Sequence, residues 1–85
     1  MGKHEKLITK ILSGRQDASI QFSEAVALMR ALGFSLRIKG SHHIFSREGV
    51  DEIINIQPDG SKAKAYQIRQ IRNLIVDYRL EEENE

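Results

Sequence analysis

The 85-residue chain contains no cysteine, and none of its apolar segments is as long as a membrane-spanning helix. Without cysteine it has no disulfides and no thiolate metal site, so a chain this short has to fold around aliphatic side chains. The lack of cysteine is also compatible with a reducing compartment. Lys10 and Arg15 interrupt the only stretch that resembles a signal peptide. We therefore expect one cytoplasmic domain with no membrane partner.

The residues that several kinds of active site require are also missing. No glycine-rich phosphate loop occurs, and no thiol nucleophile is present. His4, His42 and His43 lack the spacing of metal ligands, because adjacent residues of a strand point to opposite faces. Ser41 and Ser46 flank the histidine pair, yet no carboxylate is placed to orient a hydrolase triad. We expect neither a metal nor another cofactor.

The formal net charge of +1 conceals an uneven distribution of charge. Bases outnumber acids between residues 33 and 72, whereas acids dominate after Val76. The bases of this central segment are Arg37, Lys39, Arg47, Lys62, Lys64, Arg69 and Arg72. A basic centre in a small domain indicates a polyanionic partner such as a nucleic acid. The alternative is an ordinary solvated surface with a solubilising acidic tail.

Apolar residues spaced three and four apart predict three helices. The first is a short amphipathic stretch from Leu7 to Leu12 that ends at Ser13-Gly14. The second is expected to have Ser23 as its N-cap and to end at Gly33, where a left-handed residue is favoured. The third runs from about Lys64 to Arg79. The side opposite its apolar stripe is expected to expose Arg69, Arg72 and Asn73.

Between the second and third helices the period changes to two, which predicts strands. Phe34, Leu36 and Ile38 alternate with polar residues, and further strands are expected from His42 to Arg47 and from Ile53 to Gln57. The turns between and after them are Gly40-Ser41, Glu48-Gly49 and Pro58-Asp59-Gly60. The predicted fold class is α+β, in the order α-α-β-β-β-α. A three-stranded antiparallel sheet would carry the helices on one face and leave the other open to solvent.

The second strand places two adjacent histidines on opposite faces. Phe45 is its strongest core candidate, so we expect His43 on the core face and His42 on the open face with Arg37 and Lys39. Cations beside an imidazole attract a phosphodiester. The imidazole can then act as general base on a ribose 2′-hydroxyl or as general acid on the leaving oxygen. The alternative is that both histidines are ordinary surface residues of a strand.

The start of the last helix is a second candidate for anion binding. Ser61 or Asp59 can cap this helix, yet Lys62 and Lys64 stand near its N-terminus, where cations oppose the helix dipole. Backbone N–H groups and two lysines would converge on an anion bound there. The alternative is that both lysines are exposed and screened by solvent.

The residues from the second helix into the second strand match a known pattern. They are Leu32-Gly33-Phe34, Arg37 and Lys39-Gly40-Ser41-His42-His43-Ile44-Phe45. This segment resembles the central signature of HicA toxins, and the similarity extends over roughly residues 22–78. The resemblance implies a dsRBD-like fold and ribosome-independent cleavage of mRNA. We expect this cleavage to need no metal, because RNA supplies its own nucleophile. The resemblance also implies a type II toxin-antitoxin pair, with a HicB-like antitoxin that covers the active histidine.

By the Gly-Ser-His match, the catalytic histidine of the family falls on His42, with His43 in reserve. The predicted divisions are an N-terminal helical extension over residues 1–20, a HicA-like ribonuclease domain over 21–79 and an acidic tail over 80–85. The residues predicted to bind RNA or shape the site are Arg37, Lys39, Gly40, Ser41, Lys62 and Lys64. Two alternative functions remain, a non-catalytic RNA-binding module and an inert protein-interaction domain whose open sheet binds a partner such as an antitoxin.

Overall fold

The computed structural model describes residues 2–83 and shows a dsRBD-like α+β fold. The helices are α1 (Glu5–Ser13), α2 (Phe22–Ala31) and α3 (Ala65–Tyr78). The main strands are β1 (Ser35–Lys39), β2 (His42–Arg47) and β3 (Val50–Ile56), which form an antiparallel sheet in the order β1-β2-β3. The predicted fold class and element order are therefore confirmed. Residues 84 and 85, at the end of the predicted acidic tail, lie outside the described residues.

Two small elements add to the predicted order. A 3₁₀ turn (Asp17–Ser19) follows α1, and the strands β4 (Pro58–Asp59) and β5 (Lys62–Ala63) form a short hairpin before α3. Gly60, at the tip of this hairpin, has a φ of +64°. Within residues 2–83, none of the helices combines the length and apolar character needed to cross a lipid bilayer.

One hydrophobic core joins the sheet to all three helices. Phe45 on β2 is completely buried, and its cross-strand partners Leu36 and Ile54 point to the same face. Helix α1 contributes Leu7 and Ile11 to this core. The other members come from α2, α3 and the segments beside them. The N-terminal segment predicted as an extension is thus packed into the same core as the sheet.

The cap of α2 differs from the prediction. Ser23 lies inside the helix, and Gln21 is the N-cap. The backbone N–H of Gln21 donates a hydrogen bond of 3.0 Å to Oε1 of Glu24, three residues later. This arrangement is half of a capping box, in which the acidic side chain satisfies the backbone of the capping residue. The prediction of Ser23 was wrong because it considered the capping side chain alone and not its reciprocal partner.

The sequence predicted that Arg72 lies on an exposed face of α3, and this prediction was wrong. Its guanidinium is mostly buried and binds the carboxylate of Asp17 and the carbonyl oxygen of Ile11. The apolar stripe of a helix does not reveal which polar residue will meet acceptors on another element. Here the acceptors come from the end of α1 and from the 3₁₀ turn.

Residues 80–83 fold back against the first two helices. The Glu82 carboxylate accepts hydrogen bonds from the backbone N–H of His4 at 3.0 Å and lies 3.1 Å from its Nδ1. The N–H of Glu83 donates to the carbonyl of Ala31 at 2.8 Å. The carboxylate of Glu83 lies 3.7 Å from Nη2 of Arg47. The described part of the acidic tail is therefore attached to the ends of α1, α2 and β2.

Candidate active site

The β1–β2 hairpin fixes the position of His42. Gly40 and Ser41 form its two-residue turn, and Lys39 pairs directly with His42. Gly40 has a φ of +64°, while nothing lies within 4 Å of where a Cβ would be. Glycine is therefore required here for backbone conformation and not for lack of space. Strand β2 begins at the histidine that the turn presents.

The register of the sheet puts an imidazole and two cations on its open face. Lys39 pairs with His42, and Arg37 pairs with Ile44, the next residue of β2 on that face. Directly paired residues of antiparallel strands point to the same side. Phe45 occupies the opposite, buried side, as strand alternation predicted. A phosphate on the open face would meet both cations and the imidazole.

Two amide side chains contact the His42 ring, from Asn55 near the end of β3 and from Gln57 just after it. Nδ2 of Asn55 lies 2.9 Å from His42 Nδ1, and Nε2 of Gln57 lies 2.8 Å from the same nitrogen. Sequence reasoning missed both residues. Their alternation with Ile54 and Ile56 put them on the open face, but which of them lies opposite His42 depends on a register that shifts between Phe45 and Arg47. Both amides therefore lie in contact with the ring.

Of the two lysines near α3, Lys64 is the one connected to this site. It is the N-cap of α3, and its Nζ donates to Oε1 of Gln57 at 3.5 Å. Lys62 is exposed on β5, where it pairs with Asp59. Ser61 belongs to the hairpin turn. The predicted caps Asp59 and Ser61 were therefore wrong, because the hairpin uses residues that the sequence had assigned to the helix start.

The sequence that forms this site matches the family model described as the HicA toxin of bacterial toxin-antitoxin over residues 22–76, more than half of the chain. The chain belongs to the HicA toxin family. The matched segment begins at the first residue of α2 and includes the sheet, the hairpin and nearly all of α3. No curated protein and no solved structure shows significant similarity to the chain. As a HicA toxin, the protein is the toxin of a toxin-antitoxin pair, and its partner is an antitoxin.

The neighbouring histidine of this HicA toxin lies on the other side of the sheet. The ring of His43 packs edge-on against Phe22 at the start of α2, with ring centroids 4.9 Å apart. Its Nδ1 is buried and has no hydrogen-bond partner among residues 2–83. The sheet separates His43 from the open-face side chains of Arg37 and Lys39. The two histidines thus have different surroundings, one polar and one apolar.

A buried glutamine of the HicA domain binds the backbone of the two residues that carry these amides. Gln67 on α3 is 1% exposed. Its Nε2 donates to the carbonyl of Asn55 at 3.2 Å, and its Oε1 accepts from the N–H of Gln57 at 3.3 Å. The same oxygen lies 3.4 Å from the N–H of Lys64. One side chain therefore fixes the backbone of all three residues that surround the His42 network.

Proposed function

We propose that this HicA toxin is a metal-independent RNA endonuclease in which His42 carries out acid/base chemistry on the phosphodiester. The observation that supports the proposal best is the position of His42. Its ring lies on the open face beside Lys39 and is held by Asn55 and Gln57. An orienting contact of this kind is what a general acid or base needs.

RNA supplies the nucleophile for this reaction. The imidazole accepts the proton of the ribose 2′-hydroxyl, and the 2′-oxygen forms a bond to phosphorus. The bond between phosphorus and the 5′-oxygen breaks, and the imidazolium returns its proton to that oxygen as it leaves. The products are a 2′,3′-cyclic phosphate and a 5′-hydroxyl. The reaction as proposed uses neither a metal nor an external cofactor.

The surrounding cations bind the backbone of the substrate. Arg37 and Lys39 lie on the same face as His42, and Lys64 is linked to it through Gln57. Lys62 extends the basic surface onto the β4–β5 hairpin. Phosphate contacts fix the register of an RNA strand without selecting its bases. Gly40 and Ser41 shape the turn that presents His42.

Membership of a toxin-antitoxin family supports two further parts of the proposal, the substrate and the mode of inhibition. We propose that the substrate is mRNA, cut in the cytoplasm without the ribosome. We also propose that a HicB-like antitoxin inhibits the toxin by covering His42. The open face supports this mode of inhibition, because no helix of residues 2–83 packs over the strand side chains on the side of His42.

The test compares the wild type with His42→Ala on labelled mRNA, without ribosomes and with a chelator present. The wild type should cleave and His42→Ala should not. The control His4→Ala changes a histidine at the N-cap of α1 that contacts Glu82, and it should cleave normally. Induced expression should arrest growth only for the variants that cleave. If neither wild type nor His42→Ala cleaves but both bind RNA with a steep salt dependence, the protein is a non-catalytic RNA-binding module. If neither binds RNA, it is a protein-interaction domain.

A further inference from the structure

A polar cavity of about 590 Å³ lies at the end of the sheet that is far from the β1–β2 turn. Its lining includes Ser35 at the start of β1, Ser46 and Arg47 at the end of β2, and Glu83 of the C-terminal segment. The carboxylate of Glu83 lies 3.7 Å from Nη2 of Arg47. A Cβ on Gly33 would come within 2.5 Å of Oε2 of Glu83, so the carboxylate fits because this neighbour is glycine. An anionic group of the chain itself therefore lies beside a guanidinium in this cavity.

The cavity continues the series of side chains that the proposed RNA site uses. On the open face, the successive cross-strand pairs of β1 and β2 are Lys39–His42, Arg37–Ile44 and Ser35–Ser46. Successive pairs on one face are about 6.8 Å apart, because the rise per strand residue is about 3.4 Å. This repeat is comparable to the separation of neighbouring phosphates along an extended RNA strand. A phosphate at His42 therefore brings the phosphate two nucleotides away to Ser46 and the cavity.

Arg47 is the cation of the cavity that can bind this phosphate. Its Nη1 donates to the carbonyl of Leu32, the C-cap of α2, at 2.7 Å, and this contact fixes the guanidinium. The side chain of Arg47 is 29% exposed, whereas that of Glu83 is 61% exposed. A guanidinium has five donors and binds carboxylate and phosphate oxygens alike, so Arg47 can exchange one for the other. Glu48 also lines the cavity, but it is exposed and makes no ion pair within residues 2–83.

We propose that Arg47 binds a phosphate of the RNA and that the Glu83 carboxylate occupies this site as an intramolecular competitor until RNA displaces it. The proposal rests on the proposed function, because it requires RNA on the open face. The exchange puts a phosphate oxygen in place of the carboxylate and keeps the contact of Arg47 with Leu32. The N–H of Glu83 donates to the carbonyl of Ala31, and this bond is kept when only the side chain of Glu83 turns away. The C-terminal segment thereby lowers the affinity of the protein for RNA.

The experiment measures the affinity of the full chain for a single-stranded 2′-O-methyl oligoribonucleotide long enough to span the open face. This probe lacks the free 2′-hydroxyl that the proposed cleavage requires, so binding is measured without reaction. Glu83→Gln should raise the affinity about two- to fivefold, the range expected when an exposed ion pair no longer competes. Arg47→Met should lower both the affinity and its dependence on salt, because one phosphate contact is lost.

Glu48→Gln is the matched control, because it removes the same charge from the same cavity without breaking an ion pair. It should raise the affinity less than Glu83→Gln does, and by the same factor with or without Arg47. In the Arg47→Met background, Glu83→Gln should lose its additional effect. Equal effects of Glu83→Gln and Glu48→Gln, or an effect of Glu83→Gln that is unchanged by Arg47→Met, would overturn the proposal.

A second measurement needs no substitution, since Arg47→Met also loses the contact with Leu32 and its fold has to be established from dispersed amide spectra. In ¹H–¹⁵N spectra of the wild type, the side-chain Nε–H of Arg47 should shift as the oligoribonucleotide is added. A resonance that stays in place at saturation would overturn the proposal. RNA binding without these effects contradicts this proposal alone, whereas no binding by the wild type or any variant contradicts the proposed RNA site as well.

Discussion

The guanidinium of Arg72 binds both carboxylate oxygens of Asp17, with Nη1–Oδ1 at 2.9 Å and Nη2–Oδ2 at 3.2 Å. Nη1 also donates to the carbonyl of Ile11 at 3.0 Å. Two-point contacts of this kind are stronger than single ion pairs and fix the relative geometry of their partners. Arg72 therefore connects α3, the last helix of the fold, to the end of α1 and to the 3₁₀ turn.

Replacing Arg72 by methionine should destabilise the protein by about 1–3 kcal/mol, because it leaves a largely buried carboxylate and carbonyl without their donor. The free energy of unfolding from urea titration measures this effect. Arg69→Met is the control, since Arg69 is exposed on the same helix and should change stability by less than about 0.5 kcal/mol. Equal effects of the two substitutions would show that the pair with Asp17 contributes nothing to stability.

His43→Leu should retain the fold and the RNA cleavage that we propose for the wild type. The substitution removes a buried ring nitrogen that has no hydrogen-bond partner within residues 2–83, and it keeps an apolar contact with Phe22. Removing an unsatisfied polar group in this way is often neutral or stabilising, so we expect a change within about 1 kcal/mol. Urea titration and an mRNA cleavage assay measure the two properties. A folded His43→Leu protein that no longer cleaves, beside an active His42→Ala, would transfer the catalytic role to His43.

Gln67→Met should cost about 1–3 kcal/mol of stability, because the backbone groups of Asn55 and Gln57 lose a buried partner. It should also lower the cleavage rate through the displaced amides that hold His42. Thermal unfolding and cleavage kinetics measure both effects, with the exposed Gln70→Met on the same helix as the control. A variant as stable and as active as the control would exclude a clamping role for Gln67.

Strand alternation was sufficient to assign Phe45 and His42 to opposite faces of the sheet. The period of two on β2 put Phe45 in the core and His42 on the opposite face, because side chains of a strand have only two directions to choose from. The Gly40 turn was predictable for a similar reason, since a two-residue hairpin favours glycine where φ is positive. Local sequence patterns thus predict the turn and the side-chain directions within one hairpin.

The polar contacts around His42 could not be predicted from local sequence patterns. Gln57 comes opposite His42 because the pairing of β2 with β3 shifts between Phe45 and Arg47, whereas a regular pairing would have put Asn55 there. Gln67 lies on the apolar stripe of α3. The sequence does not show why a polar residue is buried there, because its hydrogen-bond partners lie on another part of the chain. The partners of these side chains come from distant parts of the chain, so they are set by packing and not by local sequence pattern.

The contact between Glu82 and His4 gives the last prediction, a dependence of stability on pH. Burial opposes ionisation of this carboxylate, but hydrogen bonds from the side chain and backbone of His4 outweigh it, and the net pKa of Glu82 lies below its ordinary value of 4.5. A carboxylate with a lowered pKa in the folded state stabilises the protein above its ordinary pKa, and that contribution is lost as the pH falls through the folded value.

The wild type should therefore be more stable than Glu82→Gln at pH 7, and the difference should shrink as the solution is acidified below about pH 4.5. Urea midpoints measured across this range give the difference directly, with the exposed Glu81→Gln as the control at each pH. A difference between wild type and Glu82→Gln that stays constant from pH 7 down to pH 3 would contradict the prediction, because it would show that ionised Glu82 makes no favourable contact in the folded protein.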